Sequence, residues 1–431
     1  RSVLEYVPST LVFSKAKKNV LKKTKGNYPA PLKIIEVMKE CDSLSVRDSL
    51  RLEAQAFLEL AQTDECKSLL RIFFLQEKSK KTTVKEWVAT SDQSLPISVN
   101  NAVVVGAGTM GAGIAQWLTS RGVNVLLKDV NSDAVSAGLQ TVGDLYVDGV
   151  RGHKFDRPTA RNGLARITAT TTDVPLHSKD ILIEAIVEKL DVKQKVLAQL
   201  EEKLSNDAII ATNTSALSID EMAKCLKRPE RFIGIHFFNP VHKMKLVEIV
   251  KGSKTSDETV YRAIKFVQQI GKFPVVVNDG PGFVVNRILV PYLVKAAELL
   301  GQGTQMEAID SAMVKFGMPM GPFRLMDEIG LDVCYHVARD LETRLNITCY
   351  LEEIKWRVDC KRLGKKSGHG FYYYSKGKCL REKITDTVDI SPLIDCMTSE
   401  ARKILDEGII DDPDMLDFAM IMGTGWAPFR G

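Results

Sequence analysis

No apolar run in this chain reaches the ~18–20 residues that a membrane-spanning helix needs, and no secretory leader pattern is visible. Membrane association is therefore not evident. The cysteines form no CxxC pair. Cys41, Cys66, Cys225, Cys334, Cys349, Cys360, Cys379 and Cys396 are scattered, which reads as buried free thiols in a reducing compartment. No metal-ligand spacing, no GxSxG and no P-loop lysine occurs, so nothing calls for a bound metal, a serine hydrolase or a Walker-type ATPase. Charge of one sign is not in large excess. The formal net charge is +5, which mildly favours anionic substrates and makes no case for nucleic acid. Histidine is scarce, with six in 431 residues, so each is a limited choice for acid–base work near neutral pH.

What is present begins at Val103-Val104-Val105-Gly106-Ala107-Gly108-Thr109-Met110-Gly111. A β-branched run feeds G-x-G-x-x-G, and Ala112 to Leu118 continues as a helix. In that order the first glycine makes a tight turn, the second admits a pyrophosphate to the backbone, and the third packs helix on strand. The helix N-terminus then faces the phosphates. A second predicted strand, 124–128, leads into Asp129. This acid lies 23 residues after Gly106, near the ~20 expected of a carboxylate that bonds a ribose hydroxyl. Such a carboxylate repels a 2′-phosphate, so NAD is expected rather than NADP.

Around this turn the chain divides. Residues 1–98 are expected to be a helical linker segment, with a basic cluster from Lys15 to Lys25 read as a solvated helix face. Asn27 to Pro31 reads as an extended break, and helical spacing follows at Leu32 to Met38 and at Leu50 to Leu60. Lys78 to Asn100 reads as a linker. Residues 99–280 alternate strand and helix and predict a mostly parallel α/β sheet, a Rossmann-like domain. Its strands are expected at 101–105, 123–128, 180–186, 208–212, 231–236, 246–250 and 273–278. Helices are expected at 131–147, 191–204 and 256–270. His153 to Asn162 is basic and irregular and takes no assignment. After 281 helical spacing dominates, in an all-α region that contains an internal duplication. Ala308 to Met313 recurs as Met415 to Met420, and Gly321-Pro322-Phe323-Arg324 recurs as Ala427-Pro428-Phe429-Arg430, about 106 residues apart. The first helical unit is placed at 281–375 and the second at 376–431. A glycine-rich loop with a short aromatic strand, Phe371 to Tyr374, is expected to connect them. The chain opens on Arg1 and stops just past the second motif, which reads as a piece or a processed product, with a truncated second repeat.

Three further stretches carry chemistry. His236 closes a predicted strand and begins His236-Phe237-Phe238-Asn239-Pro240, where open α/β sheets collect ligands. Glu248 lies inside the apolar run Leu246 to Val250. Two readings fit: a histidine–glutamate dyad that fixes the imidazole tautomer, or a strand-end histidine and an unrelated ion-paired glutamate. Ser215, in Asn213-Thr214-Ser215, either caps the helix starting near Ser218 or holds a substrate oxygen. Asn286, in Pro281-Gly282-Phe283-Val284-Val285-Asn286-Arg287, is a polar residue in an apolar helix start. Its partner is a substrate oxygen or a backbone carbonyl.

Together with Ile183-Glu184-Ala185-Ile186-Val187-Glu188, these motifs and their order resemble the L-3-hydroxyacyl-CoA dehydrogenase family. The form is that of the multifunctional fatty-acid β-oxidation enzymes, without their enoyl-CoA hydratase domain. The resemblance covers nearly the whole chain. It implies an NAD-dependent oxidation of an L-3-hydroxyacyl-CoA to the 3-ketoacyl-CoA. His236 would be the catalytic base and Glu248 its partner. Ser215 and Asn286 would bind the 3-oxygen, and Asn239 would shape the site. Gly106, Gly108, Thr109, Met110, Gly111 and Asp129 would hold the adenosine half of NAD, with Glu188, Lys193 and Ser215 near its nicotinamide half. It further implies an acyl-CoA substrate, possible association with a thiolase subunit, and residence in a bacterial cytoplasm or, alternatively, a mitochondrion or peroxisome. A partner-docking fragment and a dehydrogenase of another hydroxy acid are the competing expectations.

Overall fold

A computed structural model of the chain describes residues 9–84, 98–345, 349–380, 384 and 387–430. The part of the expected linker at 85–97 lies outside them. Four helices come first: α1 (Ser9–Thr24), α2 (Pro29–Cys41), α3 (Val46–Ala61) and α4 (Asp64–Lys80). The break before α2 is shorter than the sequence suggests. Pro29 and Pro31 sit inside the first turn, where a missing N–H costs nothing, and Tyr28 before them is extended. The lysines of α1 are exposed, as a solvated face requires.

The α/β region follows as β1 (Asn101–Val105), α5 (Thr109–Ser120), β2 (Asn124–Lys128), α6 (Ser132–Arg151), α7 (Arg157–Leu164), β3 (Ile167–Thr170), β4 (Ile181–Glu184), α8 (Leu190–Glu201), β5 (Ile209–Thr212), α9 (Ile219–Ala223), β6 (Phe232–Phe237), β7 (Leu246–Lys251), α10 (Asp257–Gln269) and β8 (Phe273–Asn278). The described strands form one eight-stranded sheet in the order β3-β2-β1-β4-β5-β6-β7-β8. The first six are parallel and doubly wound, with the order reversing between β1 and β4. β6 and β7 pair antiparallel, and β8 follows β7 in parallel.

Two elements differ from the sequence reading. β3 is an added edge strand, and its Thr-rich, half-buried Ile167-Thr168-Ala169-Thr170 carries little apolar signal. The unassigned 153–162 stretch holds α7, capped by Asp156, whose side chain accepts the Thr159 amide at 2.8 Å, with Pro158 in its first turn.

The strand pleat divides the core. Ile233, Ile235 and Phe237 of β6 with Val247 and Ile249 of β7 face the layer of α5, α6 and α10. Phe232 of β6 with Leu246 and Val250 of β7 face the opposite way, into a core continuous with the C-terminal helices. His236 and Glu248 share this second side by the same alternation.

The C-terminal helices are α11 (Val285–Gly301), α12 (Met306–Phe316), α13 (Pro322–Ile329), α14 (Leu331–Leu345) and α15 (Glu352–Asp359). A small antiparallel pair follows, β9 (Tyr373–Ser375) and β10 (Lys378–Leu380), then α16 (Ser391–Asp406) and α17 (Pro413–Thr424). Arg287 ties the halves together. Its buried guanidinium bonds Glu400 at 3.2 Å and Glu407 twice at 2.8 Å, joining α11 to α16.

The duplicated motifs use their aspartates differently. Asp310 accepts the Phe323 and Arg324 amides at 3.0 and 3.1 Å and so caps α13. Its counterpart Asp417 instead meets Arg71 of α4 at 2.7 Å, while the ring of Tyr28 packs on Phe429. The N-terminal helices therefore dock on the second unit. Ser79 of α4 also donates to the Pro274 carbonyl on the edge strand β8 at 2.8 Å, which covers that edge. All eight cysteines are free, but only Cys334 is buried and Cys360 is exposed, against the expectation of uniformly buried thiols. Among the described residues no helix is long and apolar enough to cross a membrane.

Candidate active site

The glycine turn sits at the point where the strand order reverses. Gly106 has φ +103°, and a Cβ there would lie 2.5 Å from the Ala185 carbonyl oxygen after β4. Gly111 is tighter still, since its Cβ would fall 1.8 Å from the Gly106 carbonyl oxygen. Gly108 differs from both, because a Cβ there meets no protein atom within 4 Å. The space beside Gly108 is open, and no side chain caps the helix that starts after it at Thr109 and Met110. Open backbone at an uncapped helix N-terminus fits a pyrophosphate. Asp129 stands beside the turn. Its Oδ2 accepts the Ala107 amide at 2.8 Å and its Oδ1 accepts Val130 and Asn131. The carboxylate thus braces the turn, a task the sequence does not reveal, and Oδ2, which accepts a single amide, retains a second acceptor position.

Glu188 and Lys193 meet after β4. Lys193 is almost wholly buried and bonds Glu184 Oε1 at 2.7 Å and Glu188 Oε2 at 3.1 Å. Glu188 Oε1 also accepts the Thr214 hydroxyl at 2.5 Å, the Ser215 amide at 2.8 Å and the Ser215 hydroxyl at 3.2 Å. Burial pushes the Glu188 carboxyl up, but the Lys193 ammonium, the Thr214 hydroxyl and the Ser215 amide outweigh it and hold the group below the ordinary carboxylate range. Glu184, inside β4, is not singled out by the sequence reading. It binds Lys193, the Ile186 amide and the Thr212 hydroxyl, and so fixes the cation on which Glu188 leans.

Ser215 does not cap the next helix, because Ser218 caps it. Asn286 Nδ2 donates to the Ser215 carbonyl at 2.9 Å, linking α11 to the loop after β5 and leaving the amide a second N–H and its oxygen for other partners. In the same loop Asn213 Oδ1 accepts the Phe237 amide at 2.8 Å, which sets that loop against the end of β6. Arg344 of α14, also absent from the sequence reading, donates to the Ala216 carbonyl.

His236 and Glu248 face each other across the β6–β7 ladder, with Nδ1 and Oε2 2.7 Å apart. The side chains are 7% and 0% exposed, so an unpaired charge here would be costly. Glu248 Oε1 is occupied as well. It accepts the Val284 and Val285 amides at 3.2 and 3.0 Å, at the start of α11. The first turn of that helix thus completes the carboxylate's shell and adds the favourable end of its dipole. The rings of Phe238 and Phe283 lie 4.4 and 5.8 Å from the imidazole and wall it. When Nδ1 donates to Glu248, a neutral imidazole carries its lone pair on Nε2. Asn239 follows three residues later, exposed, in a cis bond to Pro240. No hydrogen bond ties its side chain to the cluster among the described residues.

Comparison with known proteins agrees with this arrangement. Residues 101–280 match the family model "3-hydroxyacyl-CoA dehydrogenase, NAD binding domain", and residues 282–374 match "3-hydroxyacyl-CoA dehydrogenase, C-terminal domain". The fatty acid oxidation complex subunit alpha of Shewanella sp. (strain MR-7) is 38% identical over 98% of this chain and 62% of its own length. That of Acinetobacter baylyi is 37% identical over 98% of this chain and 61% of its own. The chain thus spans about three-fifths of the length of these curated relatives. Among solved structures, (S)-3-hydroxybutyryl-CoA dehydrogenase from Ralstonia eutropha is 40% identical, with a TM-score of 0.61 over 65% of this chain and 100% of that one. 3-Hydroxybutyryl-CoA dehydrogenase from Escherichia coli K12 gives a TM-score of 0.69 at 28% identity, over 77% and 90%. A doubly wound sheet with an open glycine turn, a buried histidine–glutamate pair across the β6–β7 ladder and two consecutive family matches place this chain in the 3-hydroxyacyl-CoA dehydrogenase family of NAD-dependent oxidoreductases.

Proposed function

We propose that the chain oxidises an L-3-hydroxyacyl-CoA to the 3-ketoacyl-CoA with NAD, as a step of fatty-acid β-oxidation. The observation that carries this reading is the His236–Glu248 pair, buried and joined through Nδ1, with no hydrogen bond to the imidazole Nε2 among the described residues. Gly106, Gly108, Thr109, Met110 and Gly111 would receive the pyrophosphate and Asp129 the adenosine ribose, while Glu188 and Lys193 would lie toward the nicotinamide half. When bound, NAD supplies the hydride acceptor for C3 of the substrate. The chain's own residues handle the proton. His236 Nε2 takes it from the 3-hydroxyl, and Glu248 stabilises the imidazolium through Nδ1. Ser215 and Asn286 would orient the 3-oxygen, with Asn239 shaping the entrance. The walls of Phe238 and Phe283 exclude water and strengthen the pair's electrostatics. His236→Gln should reduce turnover of 3-hydroxybutyryl-CoA below detection while NAD still binds, measured by NADH absorbance and by cofactor titration. Full activity in that variant overturns the assignment. Activity on free hydroxy acids with none on CoA thioesters would point instead to a different dehydrogenase.

A second reading has its own observation. Leu50, Phe57, Leu58, Leu70, Phe73 and Phe74 on α3 and α4 are all more than half exposed, although their spacing is that of a buried helix face. The relatives named above are subunits of a complex, and this face is proposed to dock the thiolase subunit of such a complex. Pull-down by the thiolase should be lost with Phe57→Glu and Phe74→Glu together, while dehydrogenase turnover stays within about twofold. Retained capture sinks the docking reading and leaves the catalytic one untouched.

A further inference from the structure

Lys272, between α10 and β8, is 3% exposed and lies far along the chain from His236. Its ammonium donates to the Val241 carbonyl and, at 2.5 Å, to the Met244 carbonyl. It also sits 3.8 Å from the centre of the Trp117 ring. All three groups belong to segments that also carry proposed site residues. Val241 and Met244 lie in the connection 238–245 that follows His236 and carries Phe238 and Asn239. Trp117 belongs to α5, the helix that opens at the glycine turn. Two more contacts bind these parts together. Trp117 Nε1 donates to the Ile270 carbonyl at 3.0 Å, and Gly113 of α5 is so close to Val241 that a Cβ would fall 3.2 Å from its side chain. The connection 238–245 therefore bridges the cofactor helix and the catalytic strand.

We infer that Lys272 is a positioning residue for the dehydrogenase reaction, holding the 238–245 connection against α5 so that Phe238 and Asn239 keep a fixed placement between His236 and the cofactor turn. The inference rests on the proposed function for its kinetic reading. A lysine is an expensive choice for this spot. Burial, reinforced by the nearby Arg121 guanidinium, lowers its ammonium to about 7. A methionine would fill similar volume and pack on Trp117 without that cost. What the ammonium adds is direction: two carbonyls of one connection are drawn to one point, and its remaining face is set on an aromatic ring.

The test is Lys272→Met in the full chain. The expected result is a fall in kcat on 3-hydroxybutyryl-CoA on the order of 10–100-fold, the scale of a displacement near 1 Å at the reacting groups. The Kd for NAD should stay within about twofold, since the glycine turn is untouched. Hydrogen exchange in the peptide covering 238–245 should rise at least about tenfold, while the peptide covering 101–111 stays as protected as before. Lys272→Arg, which keeps donors for both carbonyls and stacks on tryptophan, should restore kcat to within about fivefold. A folded Lys272→Met protein with wild-type kcat, unchanged exchange at 238–245, or an arginine variant as impaired as the methionine one would each overturn the inference. If the methionine variant fails to fold, Lys272→Gln, which keeps a single donor, takes its place under the same criteria. The exchange measurement needs no substrate, so it remains decisive even if the wild-type chain turns over a different hydroxy acid.

Discussion

Glu248→Gln should lower kcat by about 10³–10⁴-fold and leave the affinity for NAD within about twofold of wild type. The magnitude is that seen when the acid of a Ser-His-Asp triad becomes its amide, and the geometry here gives the same cause. Glu248 uses two oxygens for two different kinds of partner. Oε1 accepts the Val284 and Val285 amides, and Oε2 faces His236 Nδ1. A glutamine has one oxygen and one NH₂ group. If the NH₂ group faced the two backbone amides, donors would meet donors in a buried site, at about 1–3 kcal/mol or more. The oxygen is therefore held toward α11, and the NH₂ group must donate to His236 Nδ1. Nδ1 then accepts, the proton moves to Nε2, and the base is in the wrong tautomer for the 3-hydroxyl. Steady-state kinetics with 3-hydroxybutyryl-CoA and a fluorescence titration of NAD measure the two quantities. A kcat within tenfold of wild type would show that the tautomer is not fixed by Glu248. Glu248→Ala makes a useful contrast, since it removes the acceptor from two buried amides as well and should lose stability along with activity.

How much of this site was legible in the sequence depends on the range of the contacts. The glycine turn was readable because strand, glycines, helix and Asp129 follow within one βαβ unit, where local spacing fixes geometry. His236 and Glu248 could each be noticed, one as a strand-end histidine and one as a carboxylate in an apolar run. Their pairing depends on the antiparallel register of β6 and β7. A signal for that register was present, because the connection 238–245 is too short for the dozen or more residues that a parallel crossover needs. β3 escaped for a different reason, since a half-buried edge strand of alternating threonines lacks the apolar run that marks the central strands. Arg344 and Lys272 had no local signature, and Glu184 had only the one it shares with Glu248, a carboxylate in an apolar run. Each acts on a group brought near only by the fold, and a lone charged residue in a sequence looks the same whether it is solvated or clamped. The exposed apolar face of α3 and α4 carries the opposite lesson, because helical periodicity reported the helices correctly and said nothing about which way they face.

The three glycines of the turn should respond to substitution in two distinct ways, and the contrast tests the cofactor site without any assay of turnover. Gly111→Ala places a Cβ 1.8 Å from the Gly106 carbonyl oxygen, which is backbone and cannot swing aside. α5 would have to lift from β1, and the protein should fail to fold or lose several degrees in Tm, at the upper end of the ~1–3 kcal/mol typical of overpacking. Gly108→Val meets no protein atom within 4 Å of its Cβ and has φ −69°, a backbone conformation that valine adopts. Its Tm should stay within a degree or two of wild type. If a pyrophosphate lies on this backbone, the valine occupies its space. A steric cost of about 1–3 kcal/mol then weakens NAD by roughly 5–150-fold. Thermal unfolding with and without NAD reads both effects at once, because NAD raises Tm only in proportion to its occupancy. The expected pattern is a stable Gly108→Val protein whose NAD-dependent Tm shift is largely gone. Retention of the full shift would place the dinucleotide elsewhere on the sheet and remove the reason for the open space beside Gly108.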